Sequence, residues 1–162
     1  MSLQFFLTVT LNGLTLAALY FIVASGFSLI FGLMRTVNMA HGSLYMLGAY
    51  VGFAVFDLMY GSNTWGDYAW LIAIVAGIAA TALAGVLMQV VFLGWMQGQE
   101  LRQALVTIGL SIIIADQLLA NFGGNPFQFF APDMLFGPIQ APFIGRYPIF
   151  RLFQVGLAIA VG

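Results

Sequence analysis

The chain has 162 residues, of which 62% are hydrophobic and 6% charged, far below the roughly 25% charged residues of a soluble domain. Four Arg, no Lys, five acidic residues and one His leave a net charge of -1, which offers no footprint for nucleic acid. The absence of Cys excludes a disulfide framework, a Cys-ligated metal and a thiol nucleophile.

A bilayer core about 30 Å thick takes roughly 20 apolar residues of helix, so the spacing of the charges sets the number of spans. Residues 1 to 34 carry none, and then come Arg35, Asp57, Asp67, Glu100, Arg102, Asp116, Asp133, Arg146 and Arg151. The first predicted span runs from about Leu3 to Phe31. Its N-terminus, Met1-Ser2-Leu3-Gln4, lacks a basic region, and the apolar run is too long for a cleavable signal, so it is expected to remain in the mature protein. A second span, about Met39 to Phe56, follows the polar stretch Arg35-Thr36-Val37-Asn38. The third runs from about Ala69 to Trp95, and the fourth, from about Gln103 to Asn121, carries Asp116. A fifth begins near Ile149 and is unfinished at Gly162, which gives the expectation of one transmembrane domain over 1–162 belonging to a longer chain. The fold class expected is all-α: a polytopic bundle of about four to five spans.

Between the fourth and fifth spans lies a segment of another kind. All five prolines (Pro126, Pro132, Pro138, Pro142, Pro148) fall between Asn121 and Pro148, so it cannot be one helix. It also holds Phe122, Phe127, Phe129, Phe130, Phe136 and Phe143, too apolar for a disordered linker. A folded Pro/Phe-rich outer loop is expected, either capping its own bundle or receiving a partner.

Cytoplasmic loops are enriched in Lys and Arg. Arg35 and Arg102 fall in turns on one side, whereas the connection from Asp57 to Tyr68 has two Asp and no Arg. This places the N-terminus outside and the turns around Arg35 and Gln97 to Gln103 inside. Glu100 and Arg102 are expected in a solvated inner turn, where an ion pair contributes little.

In lipid, helices associate through close backbone approach and interhelical hydrogen bonds, which small residues permit. The third span repeats Ala73, Gly77, Thr81 and Gly85 every four residues, with Ala76, Ala80 and Ala84 alongside. The second has Gly48 and Gly52, and the first Gly13, Ala17, Ala24 and Gly26. A tightly packed bundle follows, a property shared by channels, transporters and membrane enzymes.

Polar groups in the hydrocarbon region cost about 2.5 to 3.5 kcal/mol for Asp or Arg at a helix centre. The densest cluster, Asn38, His41 and Ser43, sits at the junction of the first two spans beside Gly42. Two readings are open. The junction is a broken helix whose backbone and side chains line a cavity, or a cytoplasmic turn in which Asn38 caps the second span and His41 satisfies backbone carbonyls. A lone His makes neither a catalytic nor a metal site. Asp116, about five residues before the end of its span, lies about 7 to 8 Å from the interface and is a candidate for a pathway or for a headgroup contact. No hydrolase, zinc-protease, P-loop or dinucleotide signature is present.

The stretch Gly32-Leu33-Met34-Arg35-Thr36-Val37-Asn38-Met39-Ala40-His41-Gly42-Ser43-Leu44-Tyr45-Met46-Leu47-Gly48-Ala49-Tyr50 resembles the permease subunits of branched-chain amino acid ABC importers, the LivH type. Asn12-Gly13-Leu14-Thr15 with Ala18-Leu19-Tyr20 upstream, and Leu105 to Ile112 downstream, extend the resemblance over most of the chain in family order. It implies a subunit of the bacterial inner membrane that works with a second, related permease, two cytoplasmic ATPase subunits and a periplasmic amino-acid-binding protein. ATP and Mg belong to the ATPase partners, whose closure reverses the access of a pathway between the permeases. The resemblance also implies a chain about twice as long, whose main coupling loop lies further downstream, and an inner turn after the third span richer in basic residues than Gln97 to Gln103. In this setting Asn38, His41, Ser43 and Asp116 are the expected pathway or gating residues, and Arg35, Glu100 and Arg102 the expected contacts on the ATPase side. A family member that carries urea or amides, a fragment of a secondary transporter or channel, and a structural subunit without a pathway are the competing readings.

Overall fold

The computed structural model describes residues 3–34, 38–61, 68–125, 127, 135, 137–141 and 145–161. Arg35, Asp67 and Asp133 lie outside these residues, so the expectations placed on them are not addressed by the fold. Five helices follow in order: α1 (Leu3–Met34), α2 (His41–Gly61), α3 (Tyr68–Val91), α4 (Glu100–Phe122) and α5 (Ile149–Val161), with a short antiparallel pair, β1 (Pro138–Ala141) and β2 (Gly145–Pro148), ahead of α5. Four of them, Gln4–Gly32, His41–Tyr60, Tyr68–Val91 and Glu100–Phe122, are long and apolar enough to cross a membrane. At 1.5 Å per residue α5 is only about 20 Å long.

The chain packs as two compact units, residues 33–129 and residues 1–32 with 130–162. In the first, α2 and α3 lie side by side and α4 packs on α2. Most of the large apolar side chains on these helices face outward, among them Val75, Ile78, Leu83 and Val86 of α3. That is the arrangement expected where lipid, and not water, surrounds the bundle. Among the described residues the apolar interior includes two small clusters. Ala40, Leu44, Met88 and Leu93 form one, near the start of α2; Phe56, Ala69 and Ala73 form the other, near its end.

Two local features depart from expectation. The third span ends at Val91 and gives way to a 3-10 turn, Leu93–Met96, that runs up to Gln97. Glu100 and Arg102 belong to the first turn of α4 and not to the connecting turn. The reason is electrostatic as well as geometric: Glu100 sits where a negative charge complements the helix dipole, and Gly98 at φ 79° reverses the chain just before it. Arg102 donates to the Gln99 side-chain oxygen at 3.2 Å.

Within the Pro-rich segment the described residues include the β1–β2 pair, in the register Pro138↔Pro148, Ile139↔Tyr147, Gln140↔Arg146 and Ala141↔Gly145. Earlier in the same segment Phe127 packs against Phe53 and Tyr50 of α2, with ring centroids 4.4 and 5.8 Å apart.

Candidate functional site

The polar residues singled out at the α1–α2 junction are brought onto one face of α4. Asn38 is buried, and its Oδ1 accepts the backbone N–H of Ala40 at 2.9 Å, a tight turn that leads into α2. Ala40 in turn accepts the N–H of Leu44 at 2.9 Å, the first intrahelical bond. Asn38 therefore stabilises the helix entry from three residues before His41, by an Asx turn. Met39 N–H, which no helix turn satisfies, donates to the Thr107 hydroxyl at 3.0 Å. Thr107, fully buried, donates its own proton between the carbonyls of Gln103 (2.9 Å) and Ala104 (3.0 Å).

One turn further along, the Ser43 and Ser111 hydroxyls lie 2.5 Å apart, and Ser43 Oγ also reaches the Ser111 carbonyl at 3.2 Å. Gln103, likewise buried, donates from Nε2 to the Met96 carbonyl at 2.8 Å and so ties the 3-10 turn to α4. Gln103, Thr107 and Ser111 recur every four residues and share one helix face. That face meets the start of α2 in a polar seam, which combines a non-helical backbone stretch with satisfied hydrogen bonds.

His41 is half-buried at the first position of α2. Asp116 does not join the seam. It lies five residues beyond Ser111, about 140° further round a helix of 100° per residue, and is exposed. Glu100 and Arg102, at the opposite end of α4, are exposed as well. Of the seven residues nominated from sequence, the structure thus assembles Asn38 and Ser43 at the seam, sets His41 beside them, and places Asp116, Glu100 and Arg102 elsewhere; Arg35 lies outside the described residues. Thr107, Ser111 and Gln103 are the partners that sequence reasoning did not nominate. Their spacing of four within an apolar span was the available signal.

On its other side α2 meets α3 through glycines. Gly48 and Gly52 face Ala73, Gly77 and Thr81 so closely that a Cβ built on Gly77 would come within 2.6 Å of the Gly48 carbonyl oxygen. The Thr81 hydroxyl donates to its own helix at Gly77 O (2.9 Å) and approaches Leu44 O of α2 at 3.3 Å. An open groove of about 620 Å³ runs along this contact, lined by Tyr45, Gly48, Gly52, Gly77 and Ile78 among others. A Cβ built on Gly85, the last member of the period-four series, would meet nothing within 4 Å among the described residues.

The second unit carries its own polar group. The Thr15 and Tyr147 hydroxyls are 2.9 Å apart and buried. The Arg151 guanidinium donates to Asn12 Oδ1 and stands over the Tyr147 ring, 5.9 Å from its centroid. Among the described residues there is no cluster of three or more His, Cys, Asp or Glu that could hold a metal ion.

Comparison with known proteins places this helical membrane architecture in a family. The model of the branched-chain amino acid transport system permease component matches residues 9–161, and the chain belongs to that family. It is 31% identical to the high-affinity branched-chain amino acid transport system permease protein LivH of Salmonella typhimurium and 30% identical to the LivH of Escherichia coli K12; both alignments take in 77% of the chain and 42% of the relative. It is 29% identical to the corresponding permease protein BraD of Pseudomonas aeruginosa over 68% of the chain and 36% of the relative. The chain therefore spans less than half the length of the curated relatives it matches. No solved structure matches it. Four apolar helices and this family membership make it a multi-pass membrane protein.

Proposed function

We propose that the chain is a transmembrane permease subunit of an ATP-driven importer of branched-chain amino acids in the bacterial inner membrane, and that its helices form part of the translocation pathway. The observation that carries this reading is the family match over residues 9–161, supported by relatives whose names specify high-affinity branched-chain amino acid transport. ATP and Mg bind the two cytoplasmic ATPase subunits, a second related permease completes the membrane part, and a periplasmic binding protein delivers the substrate. The segment that contains Arg35 and the start of α4 face the cytoplasm, where Arg35, Glu100 and Arg102 meet the ATPase side. The N-terminus and the Pro/Phe-rich segment face the periplasm. The permease supplies gating surfaces and no chemistry. Asn38, His41 and Ser43, at the entry of α2, with Thr107 and Ser111 opposite, form the gating element on the inner side; Asp116 lies nearer the outer end of α4.

A mild-detergent pull-down of the tagged chain from its native membrane, with subunit masses read from the intact complex, tests the assembly. Two ATPases and a second permease are expected; a chain that purifies alone, or only with itself, overturns the importer reading in favour of a secondary transporter or channel. ATP-driven uptake of labelled leucine by the complex, competed by valine and isoleucine and not by urea, tests the substrate class.

A further inference from the structure

We infer that the exposed face of α4 around Asp116 docks a transmembrane helix of a second, different subunit, and that this helix carries a basic side chain level with Asp116. Only the reading of that subunit as a related permease rests on the importer proposal. The face is defined by spacing. Leu101, Leu105, Ile108, Ile112, Asp116 and Leu119 follow one another at intervals of three and four residues, the period of a stripe along one side of a helix. The stripe lies about 140° round α4 from the Gln103–Thr107–Ser111 face that meets α2. All six residues are exposed, and Ile112 and Leu119, one turn to either side of Asp116, are each 58% exposed. One face of α4 is therefore occupied by a neighbour, while the other stays open for about 27 Å, most of the thickness of a bilayer core.

Asp116 decides what covers that face. It stands six residues before the end of α4, about 9 Å along the helix axis, and makes no hydrogen bond or ion pair with any described residue. Lipid is a poor neighbour, because a carboxylate at membrane depth is costly in hydrocarbon and lacks the long stem by which Lys or Arg reaches the headgroups. A water-filled pathway fits no better, since the other five members of the stripe are Leu or Ile. The surroundings that suit both the aliphatic stripe and the carboxylate are a dry helix–helix contact, in which a guanidinium or ammonium of the partner meets Asp116. Gly109, seven residues before Asp116 and so on the same side, favours close approach. A Cβ there would meet nothing within 4 Å among the described residues, which leaves a notch for a neighbouring backbone.

Charge also argues against a second copy of this chain as the occupant. Copies in one membrane share an orientation, so a two-fold axis along the membrane normal sets the two Asp116 carboxylates at equal depth across the contact, where like charges oppose ionisation of both. A different chain that brings the opposite charge to the same depth satisfies the face.

The test uses the full chain in its native membrane. Because the sequence has no Cys, Ile112→Cys provides a single attachment point for a maleimide–benzophenone photoprobe. Irradiation is expected to join it to a transmembrane helix of another subunit, at a position within two turns of a Lys or Arg, read by mass spectrometry of the adduct. Val86→Cys on α3, exposed to the same degree, is expected to trap lipid. Adducts of Ile112→Cys with lipid alone, with a second copy of the chain, or with a helix that has no basic residue overturn the docking face, as does equal capture of the same subunit from Val86→Cys. Charge provides the second readout. Asp116→Asn is expected to lower recovery of the trapped subunit with the tagged chain about tenfold, and Asp116→Glu to retain most of it. Asp116→Lys should lose it and regain it when the partner's basic residue is changed to Asp; recovery that all three variants leave unchanged overturns the pair. The photoprobe variants keep Asp116, so the face stays testable even if Asp116→Lys does not fold. Two ATPases and a second permease that co-purify while Ile112→Cys traps only lipid leave the importer standing and sink the face. An adduct with a basic helix of a chain that is no permease, in a complex without ATPases, keeps the face and sinks the importer.

Discussion

The two neighbours of α2 are held by opposite means. Against α3 the contact is made of absence: glycines at 48, 52 and 77 let the two backbones approach so closely that no Cβ fits between Gly77 and the Gly48 carbonyl. Against α4 it is made of hydrogen bonds, in which Met39 N–H, Ser43, Thr107 and Ser111 satisfy one another across the seam. A contact of the first kind tolerates little sliding, because any change of register drives a side chain into backbone. A contact of the second kind has alternatives, since a helical hydroxyl can also bond to a carbonyl of its own helix, as Thr107 does with Gln103. The pair teaches where motion is cheap. α2 and α3 are expected to move as one body, and any rearrangement of α2 is expected at its start, along α4.

The largest expected effect comes from the glycine face. In Gly77→Ala the new Cβ meets the Gly48 carbonyl oxygen at 2.6 Å and the neighbouring carbonyl carbon at 3.4 Å. Backbone cannot rotate away as a side chain does, so α2 and α3 must separate. Overpacking of this kind costs about 1–3 kcal/mol. Gly85→Ala, on the same helix with nothing within 4 Å, is expected to be neutral or to gain up to about 1 kcal/mol from helix propensity. Unfolding in mild detergent, followed by circular dichroism, compares the two; equal stability of the variants would show that the close approach does not hold the pair.

The seam is broken next. Thr107→Val removes the acceptor of Met39 N–H and leaves that partly buried donor without it, at a cost of about 1 kcal/mol. Thr107→Ser keeps the hydroxyl and should restore most of the loss. Amide exchange at Met39 provides the local reading: at least tenfold faster exchange is expected in the Val variant and near wild-type protection in the Ser variant. Unchanged protection in Thr107→Val would mean that another group holds this amide. Asn38→Ala removes a single bond, that to Ala40 N–H, and is expected to cost about 1 kcal/mol, with exchange at Ala40 and not at Met39 as its signature.

The two contacts of α2 also differ in how far sequence exposes them. Small residues every four positions on two successive spans announce close approach, because little else recommends Gly48, Gly52 and Gly77 in helix interiors. Among the described residues the close approach reaches only as far as Thr81, since a Cβ on Gly85 would meet nothing within 4 Å. Thr107 and Ser111 announce less. A hydroxyl in a helix can be satisfied by its own backbone, so a polar stripe implies a facing helix only once the non-helical Asn38 to Ala40 stretch is placed against it. The start of α4 shows the same limit, for charges at Glu100 and Arg102 look like a loop until the dipole of the first turn is considered. Least legible is the Asn12–Arg151 pair, whose partners are 139 residues apart and show no mutual pattern. The β1–β2 pair escaped for a local reason: strands of four residues that begin and end the pair on Pro138 opposite Pro148 carry too little alternation to be read.

The smallest stability effect has the largest bearing on function. Ser43→Ala removes one hydroxyl from the Ser43–Ser111 pair, and Ser111 then turns its proton to a carbonyl of its own helix. Interhelical hydrogen bonds of this kind contribute about 0.6 kcal/mol in membrane proteins, so the unfolding midpoint should hardly move. If the seam is the place where α2 changes partners during transport, the same substitution alters the balance between two arrangements of the helices, and 0.6 kcal/mol is nearly a threefold change in an equilibrium constant at RT of about 0.59 kcal/mol. A two- to threefold change in leucine uptake rate at near-normal stability and expression is therefore expected. The glycine face provides the contrast, because a substitution there should lower uptake only in proportion to folded protein. Uptake that tracks folded protein in Ser43→Ala as well would erase the distinction and make the seam a second structural contact.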